Sequence, residues 1–333
     1  MDEDDVRVRP GRGTRPRTRT RPAHESAVLG FVVAVDRGRY SCEVSGAQIV
    51  AMAARELSRG SVVVGDRVFL AGDVSGAPGS LARIVRVAER TSALRRSADD
   101  TDPVERVIVA NADQLVIVCA LASPEPGLRF VDRCLVAAYD AGLAPLLVLT
   151  KADLGSSRPV RAVYAPLELP MVTTRRPMPA RTLGVLRAAL AGRINVLIGQ
   201  SGVGKSTLMN ALVPDALRAV GGVNAVTGRG RHTSSSAVAF PLPAAAPDAA
   251  PGWLIDTPGL RGFGLGNVSP DRIIEAFGDL AEGVAACPPG CDHLAAECAL
   301  DDWALAHHAQ ARLDSLRRLL ASREGIETEG LGG

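Results

Sequence analysis

Lysine is almost missing from this chain. Of its 333 residues 38 are lysine or arginine, and only Lys151 and Lys205 are lysine. Arginine therefore serves wherever a surface cation suffices. A lysine that persists marks a place that needs a compact ammonium on a thin stem. Long apolar runs are also missing: none approaches the ~20 residues that span a bilayer, so no membrane association is expected. The acidic, then arginine-rich start has no apolar stretch and does not read as a secretory signal. Without an export signal, the six cysteines point to a reducing cytoplasm and not to a disulfide framework.

Net charge is only +2, but it is unevenly spread. Seven arginines, Arg7, Arg9, Arg12, Arg15, Arg17, Arg19 and Arg21, stand between Val6 and Pro22 among Pro, Gly and Thr. Such a stretch cannot bury a core, so residues 1–27 read as a disordered basic arm. Its spacing of cations without neutralising acids suits nucleic acid; a merely solubilising tail is the other reading.

Residues 28–96 read as short strands punctuated by glycine, with no long helix. "GFVVAVDRGRYSCEV" alternates around Arg37-Gly38, a hairpin turn. "SVVVGDRVFLAGDV" and "GSLARIVRVAER" supply further strands, and a small barrel of OB-fold type fits the size. Residues 97–270 change pattern. "ERVIVANADQLVIVCAL" and "APLLVLT" are continuously apolar, as buried parallel strands are. "RFVDRCLVAAYDAG" between them is helical in spacing, and "ARTLGVLRAALAG", "INVLIG" and "WLID" continue the alternation. This predicts a doubly wound α/β sheet. "PLPAAAPDAAPG" (241–252) reads as a surface insertion, and residues 271–333 as a helical region.

"GQSGVGKS" fits the phosphate-binding pattern G-x-x-x-x-G-K-[ST] in full, between a strand and a helix. Gly199, Gln200, Ser201, Gly202, Val203 and Gly204 would turn backbone N–H groups onto phosphates, with Thr207 following in the helix. Lys205 would reach the β- and γ-phosphates and Ser206 would ligate Mg²⁺. The motif is silent on the base. "WLIDTPG" adds Asp256 at a strand end, to hold Mg²⁺, and Gly259, whose N–H would sense the γ-phosphate. "LTKADL" ends a strand in Thr150, Lys151 and Asp153. A carboxylate there would accept from guanine N1–H and the 2-amino group, which adenine cannot match. The lysine stem would lie along the base. Both lysines of the chain thus fall in nucleotide loops. The order of motifs is the reverse of the usual one, because the base-reading loop precedes the phosphate loop; the domain reads as a circularly permuted GTPase.

"CPPGCDHLAAEC" places Cys287, Cys291, His293 and Cys298 within twelve residues. Three thiolates and an imidazole make a tetrahedral zinc set, structural because four protein ligands leave no open position. Cys42, Cys119 and Cys134 lie in apolar surroundings and read as core.

These residues resemble a known family, the ribosome small-subunit-dependent GTPases called RsgA or YjeQ. The likeness spans roughly residues 28–320. It includes "VVGDRV", "ERTSALRR", "ANADQLVIV", "GRGRHTSS" and "DTPGLRGFGL", besides the Cys/His cluster. The resemblance implies a cytoplasmic, monomeric GTPase acting late in assembly of the small (30S) subunit, binding its rRNA and released on hydrolysis. It implies GTP or GDP with Mg²⁺ and one structural Zn²⁺. Leu260 occupies the position of the usual water-orienting glutamine, so turnover alone is expected to be slow and subunit-stimulated. His232 is a candidate to position water, with a bystander loop histidine as the alternative. Thr233 or Ser234 would meet Mg²⁺ and the γ-phosphate. Thr150 stands where the family carries Asn, and Thr173-Thr174-Arg175 would offer a backbone N–H to guanine O6. An RNA-binding module that uses nucleotide only as a structural ligand is the alternative class, and a P-loop ATPase or kinase is a third.

Overall fold

The computed structural model describes residues 26–58, 60–96, 106–122, 126–214, 237–243, 252–257, 263, 268–275, 277–278, 280–295 and 298–324. The arginine-rich arm to residue 25, His232, Thr233, Ser234, Gly259, Leu260 and most of the Pro/Ala insertion lie outside these.

β1 (Val28–Asp36) and β2 (Arg39–Val44) form the expected hairpin. Its two turn residues, Arg37 and Gly38, have φ of 47° and 83°. Two positive φ values match the right-handed twist of the flanking strands. β3 (Ala47–Ala53), β4 (Arg67–Gly72) and β5 (Ala82–Val87) complete a closed barrel. β2 pairs with β3, β3 runs parallel to β5, β5 pairs with β4, and β4 returns to β1. Closure removes the free strand edges that would otherwise template aggregation. Alternate residues fill the interior: Val32, Cys42, Ile49, Ala51, Val68, Leu70, Ala82 and Ile84. Each fully buried Ile, Leu or Val contributes about 1.5–3 kcal/mol.

The remaining strands build the second unit. β6 (Ala93–Arg96) and β7 (Arg106–Ala110) make a separate antiparallel ribbon. β8 (Gln114–Ala120), β9 (Ala144–Thr150), β10 (Met171–Thr173), β11 (Ile194–Gly199), β12 (Val238–Pro241) and β13 (Trp253–Asp256) form a sheet in the order β10-β9-β8-β11-β13-β12. All its pairings are parallel except β12 with β13. The sheet continues into the barrel through the pair Ala34↔Val238, and Phe31 and Trp253 stack across the join at 4.7 Å. The apolar run "ERVIVANADQLVIVCAL" is therefore not one kind of strand. It breaks at Asn111, which has φ 55°. Only β8, buried at every position, is a parallel core strand.

The barrel is locked to this sheet at one junction. Gly65 has φ +92°, and a Cβ there would lie 2.0 Å from the Ala110 carbonyl oxygen, so only glycine fits. Beside it, fully buried Asp66 takes a bidentate pair from Arg90 at 2.7 and 2.8 Å and the Val63 N–H at 2.8 Å. Asn111 accepts from the Thr91 N–H and donates to the Gly65 carbonyl, both at 2.9 Å. The segments "VVGDRV", "ERTSALRR" and "ANADQLVIV" meet here.

Helices cover the sheet: α1 (Leu128–Asp140), α2 (Arg158–Tyr164), α3 (Ala180–Leu190) and α4 (Lys205–Leu212). α1 buries Val131, Cys134, Leu135 and Ala138, the helical stripe visible in the sequence. It stops at Gly142, φ 67°, where the Leu143 N–H turns back to the Ala138 carbonyl. The C-terminal region is helical as expected: α5 (Pro270–Glu275), α6 (Ala281–Val284), α7 (Ala299–Ala306) and α8 (Gln310–Glu324). α8 packs on α1 through buried Asp132, which meets Arg318 at 3.2 Å and the Tyr164 hydroxyl at 3.0 Å. Burial pushes this carboxyl above the usual carboxylate range, and Arg318 and Tyr164 pull it part of the way back.

Candidate nucleotide and metal sites

From β8 the chain moves to β9 and then β10 on one side. It then returns past β8 to β11 and on to β13 on the other. β8 and β11 therefore flank a topological switch point, and ligands of such sheets lie in the crevice at the carboxyl ends of the strands. The loops after β9, β11 and β13 all open there. Three residues, Ala191 to Arg193, link α3 to β11. That short link is where the permuted chain enters its phosphate loop.

The phosphate loop leaves β11 at Gly199 and enters α4 at Lys205. Gly202 and Gly204 have φ of 80° and 94°, conformations that side chains rarely take. Val203 is buried and packs under the loop, while Gln200, Ser201, Ser206 and Thr207 are exposed at its mouth. The first N–H groups of a helix have no partner inside it and carry partial positive charge. The loop thus aims unpaired donors into the crevice.

Thr150 ends β9 and is buried. Its hydroxyl lies 2.5 Å from the Val203 carbonyl oxygen, to which it donates, and 3.4 Å from the Cys119 carbonyl oxygen. It ties the base-side loop to the phosphate loop and to β8. The notebook of side-chain types at this loop then runs through Lys151, at φ 59°, a strained left-handed position for a non-glycine residue. Exposed Asp153 follows, and its Oδ1 accepts the Arg176 N–H at 3.3 Å. Thr173 ends β10 and accepts from Arg161 at 2.9 Å. The Thr174 N–H is spent on the Leu149 carbonyl at 2.7 Å, and its own carbonyl takes the Ala152 N–H. The amide that could face a base therefore has to come from Arg175, beyond it.

Asp256 ends β13 directly beside β11, in register with Leu197. The Thr257 hydroxyl fastens this strand end by donating to the Leu197 carbonyl at 3.0 Å. The Lys205 ammonium lies 3.0 Å from Asp256 Oδ1 and 3.3 Å from the Thr257 carbonyl oxygen. Proximity to the ammonium does not give Oδ1 an aligned hydrogen bond: it is a buried acceptor without one. Such an atom is costly unless a cation faces it, and a hard divalent ion fits this donor.

The second cluster lies between α6 and α7. The ligand atoms of Cys287, Cys291, His293 and Cys298 all fall within 4.8 Å of one another. Cys298 Sγ is 3.5 Å from Cys287 Sγ and 3.5 Å from His293 Nδ1. Zn–S bonds of 2.3 Å in a tetrahedron put sulfurs about 3.8 Å apart, so the donor set fits zinc closely. Burial first, with the Cys287 and Cys291 thiols, pushes the Cys298 thiol up to about 12. That is the opposite of a reactive cysteine and suits a donor whose proton a metal displaces. Cys42, Cys119 and Cys134 are buried and free, as core residues.

Sequence reading missed the arginines that support both sites, because nothing local sets them apart from their many neighbours. Arg317 of α8 holds the cluster loop: it donates to the His293 and Ala295 carbonyls at 3.0 and 3.1 Å and forks onto Asp301 at 2.7 Å. Arg133 of α1 donates to the carbonyls of Phe263, at 3.1 Å, and Ser322, at 3.4 Å. Arg323 donates to the Val268 carbonyl at 2.5 Å. The segment downstream of Asp256 is thereby fastened to α1 and α8.

Residues 87–266 match the RsgA GTPase family. The chain is 36% identical over 323 residues to the small ribosomal subunit biogenesis GTPase RsgA of Streptomyces coelicolor, covering 91% of this chain and 82% of that protein. It is 36% identical over 277 residues to the protein of the same name from Pseudomonas aeruginosa (strain LESB58), covering 79% and 76%. The fold is similar to the crystal structure of YjeQ from Thermotoga maritima, with TM-score 0.61 and 25% identity over 90% of this chain and all of that one. It also resembles YloQ, a circularly permuted GTPase, with TM-score 0.62 and 20% identity over 93% and 99%. No helix among the described residues is long and apolar enough to cross a membrane.

Proposed function

The chain belongs to the RsgA family of circularly permuted GTPases, and on that premise we propose that its GTP cycle times a step in maturation of the small ribosomal subunit. A GTPase role in ribosome biogenesis is the family's general function. The proposal adds that the GTP-bound protein binds maturing subunits through rRNA and that the GDP-bound protein leaves. It works as a cytoplasmic monomer, divided into a barrel (28–96), a GTPase domain (97–270) and a zinc-bearing helical domain (271–333).

Each residue has a part that its position supports. Asp153 pairs with the guanine N1–H and 2-amino group, Lys151 lies along the base, and the Arg175 amide faces O6 behind Thr173 and Thr174. The phosphate loop from Gly199 to Thr207 wraps the phosphates with its N–H groups. A triphosphate draws the Lys205 ammonium from Asp256, and the freed carboxylate faces Mg²⁺, which Ser206 and Thr233 also hold. Mg²⁺ neutralises charge on the phosphates when bound. In hydrolysis a water oxygen bonds to the γ-phosphorus, the bond to the β–γ bridging oxygen breaks, and that oxygen leaves with GDP. The Gly259 N–H reports loss of the γ-phosphate. Leu260 cannot hydrogen-bond water, so His232 is assigned to orient it once the subunit orders its loop. Cys287, Cys291, His293 and Cys298 hold a structural Zn²⁺ that replaces a core in a small domain.

One observation carries the reading. The strand ends that would hold base, phosphate and metal are wired together, by the Thr150 hydroxyl to Val203 and by the Lys205 ammonium to Asp256. A pull-down of purified small subunits tests it. Retention is expected with a non-hydrolysable GTP analogue and loss with GDP. Equal retention with both nucleotides would remove the timer.

A further inference from the structure

We propose that the outward face of β4 and β5 is the surface that docks a single-stranded segment of ribosomal RNA. This rests on the function proposed above and adds where on the barrel the RNA lies. The interior positions of the two strands are Val68, Leu70, Ala82 and Ile84. The outward positions then carry Arg67 and Phe69 on β4 and Arg83 and Arg86 on β5, and all three arginines are exposed. The register sets Arg86 opposite Phe69 and Arg83 opposite Ala71, with an irregularity between Phe69 and Leu70. The Arg86 guanidinium lies flat on this arrangement, 3.7 Å from the Phe69 ring centroid. Neither strand contains an acidic residue. Among the described residues no carboxylate pairs with Arg67, Arg83 or Arg86.

A phosphate chain would neutralise three such cations, and a guanidinium on an aromatic ring is a platform on which a base stacks. Only an unpaired base can reach it, which selects single-stranded over duplex RNA. The opposite wall differs. Outward positions of β2 and β3 carry Arg39, Glu43, Gln48 and Met52, whose charges cancel. This is the face that OB-type barrels ordinarily use, and here it has no net charge. The chain's arginine-rich start adds to the case. Val28 and Leu29, the first residues of β1, pair with Leu70 and Phe69. The seven arginines between Val6 and Pro22 are therefore joined covalently to the barrel beside this face.

The test uses the full chain and a labelled ten-nucleotide single-stranded oligoribonucleotide, titrated across a salt series. Arg83→Gln with Arg86→Gln should weaken binding and lower the slope of log affinity against log salt by about 1.4, for two phosphate contacts. Phe69→Ala should weaken binding about 5-fold or more at every salt with the slope unchanged. Arg39→Gln should alter neither, and basal GTP turnover should be that of the wild type in all variants. Wild-type affinity and slope in the double variant, or an equal loss in Arg39→Gln, would overturn the proposal. So would loss of small-subunit association with oligonucleotide binding intact, since a protein would then occupy the face. Failure of the wild type to bind small subunits would instead strike the function proposed above, because the oligonucleotide titration does not depend on it.

Discussion

Thr150→Val removes one oxygen from the centre of the nucleotide site and leaves the shape of the side chain almost unchanged. The lost hydroxyl donates to the Val203 carbonyl at 2.5 Å and sits 3.4 Å from the Cys119 carbonyl. The residue is only 6% exposed, so water cannot readily replace it. Leaving a buried acceptor without its donor costs about 1–3 kcal/mol. The cost divides between the fold and the phosphate loop, which would have to be ordered by the nucleotide. If all of it falls on binding, GDP affinity drops by about 5- to 150-fold at 1.4 kcal/mol per tenfold. Thr150→Ser is the control, because it keeps the hydroxyl and loses a methyl worth about 0.8 kcal/mol. Calorimetric titration with GDP and denaturant unfolding of the free protein together give both shares. If their sum for Thr150→Val stays under about 0.5 kcal/mol, within the ordinary range for a neutral surface change, the hydroxyl is not a tie between the loops. Thr150→Asn offers an amide donor to the same carbonyl and is expected to bind GTP at least as tightly as the wild type.

Three further outcomes are expected. Asp153→Asn should weaken GTP by about 10²-fold or more while leaving ATP binding as poor as before, since a carboxylate partner for the guanine edge is lost; competition of both nucleotides against a labelled GDP checks it. Gly65→Ala should cost about 2–5 kcal/mol, from the left-handed backbone and from a Cβ that would sit 2.0 Å from the Ala110 oxygen, and thermal unfolding that matched the wild type would refute the junction described here. Metal analysis should find one zinc per chain, and chelation should remove hydrogen-exchange protection from α7 and the N-terminal half of α8 while sparing β8; unchanged protection would deny the metal a structural role.

Much of this molecule was legible in residue order because its signals are local. The hairpin at Arg37-Gly38, the helix of α1 and the phosphate loop each follow from spacing within fifteen residues. The two lysines led to both nucleotide loops, since each stands at the end of a buried strand. The Cys/His cluster was read from ligand types alone, and the fold brings its four ligand atoms together. What escaped depends on partners distant in sequence. The split of "ERVIVANADQLVIVCAL" into a ribbon and a core strand is fixed by pairing with β6 and by the turn at Asn111, which hydrophobicity does not register. Thr174 was a candidate donor to a base until its N–H was found paired across β9. Arg317, Arg133 and Arg90 are ordinary arginines until the chain folds and sets each against carbonyls or a carboxylate far away. The abundance of arginine, which made the lysines conspicuous, hid these.

The central claim is that this GTPase acts on the small ribosomal subunit. Phosphate release from saturating GTP, measured with and without purified small subunits, tests it most directly. The account predicts slow release by the protein alone and release accelerated at least tenfold by the subunits, within the range that trans-acting stimulation of GTPases reaches. Equal rates with and without subunits would contradict it, and would leave an RNA-binding protein that holds its nucleotide as a structural ligand.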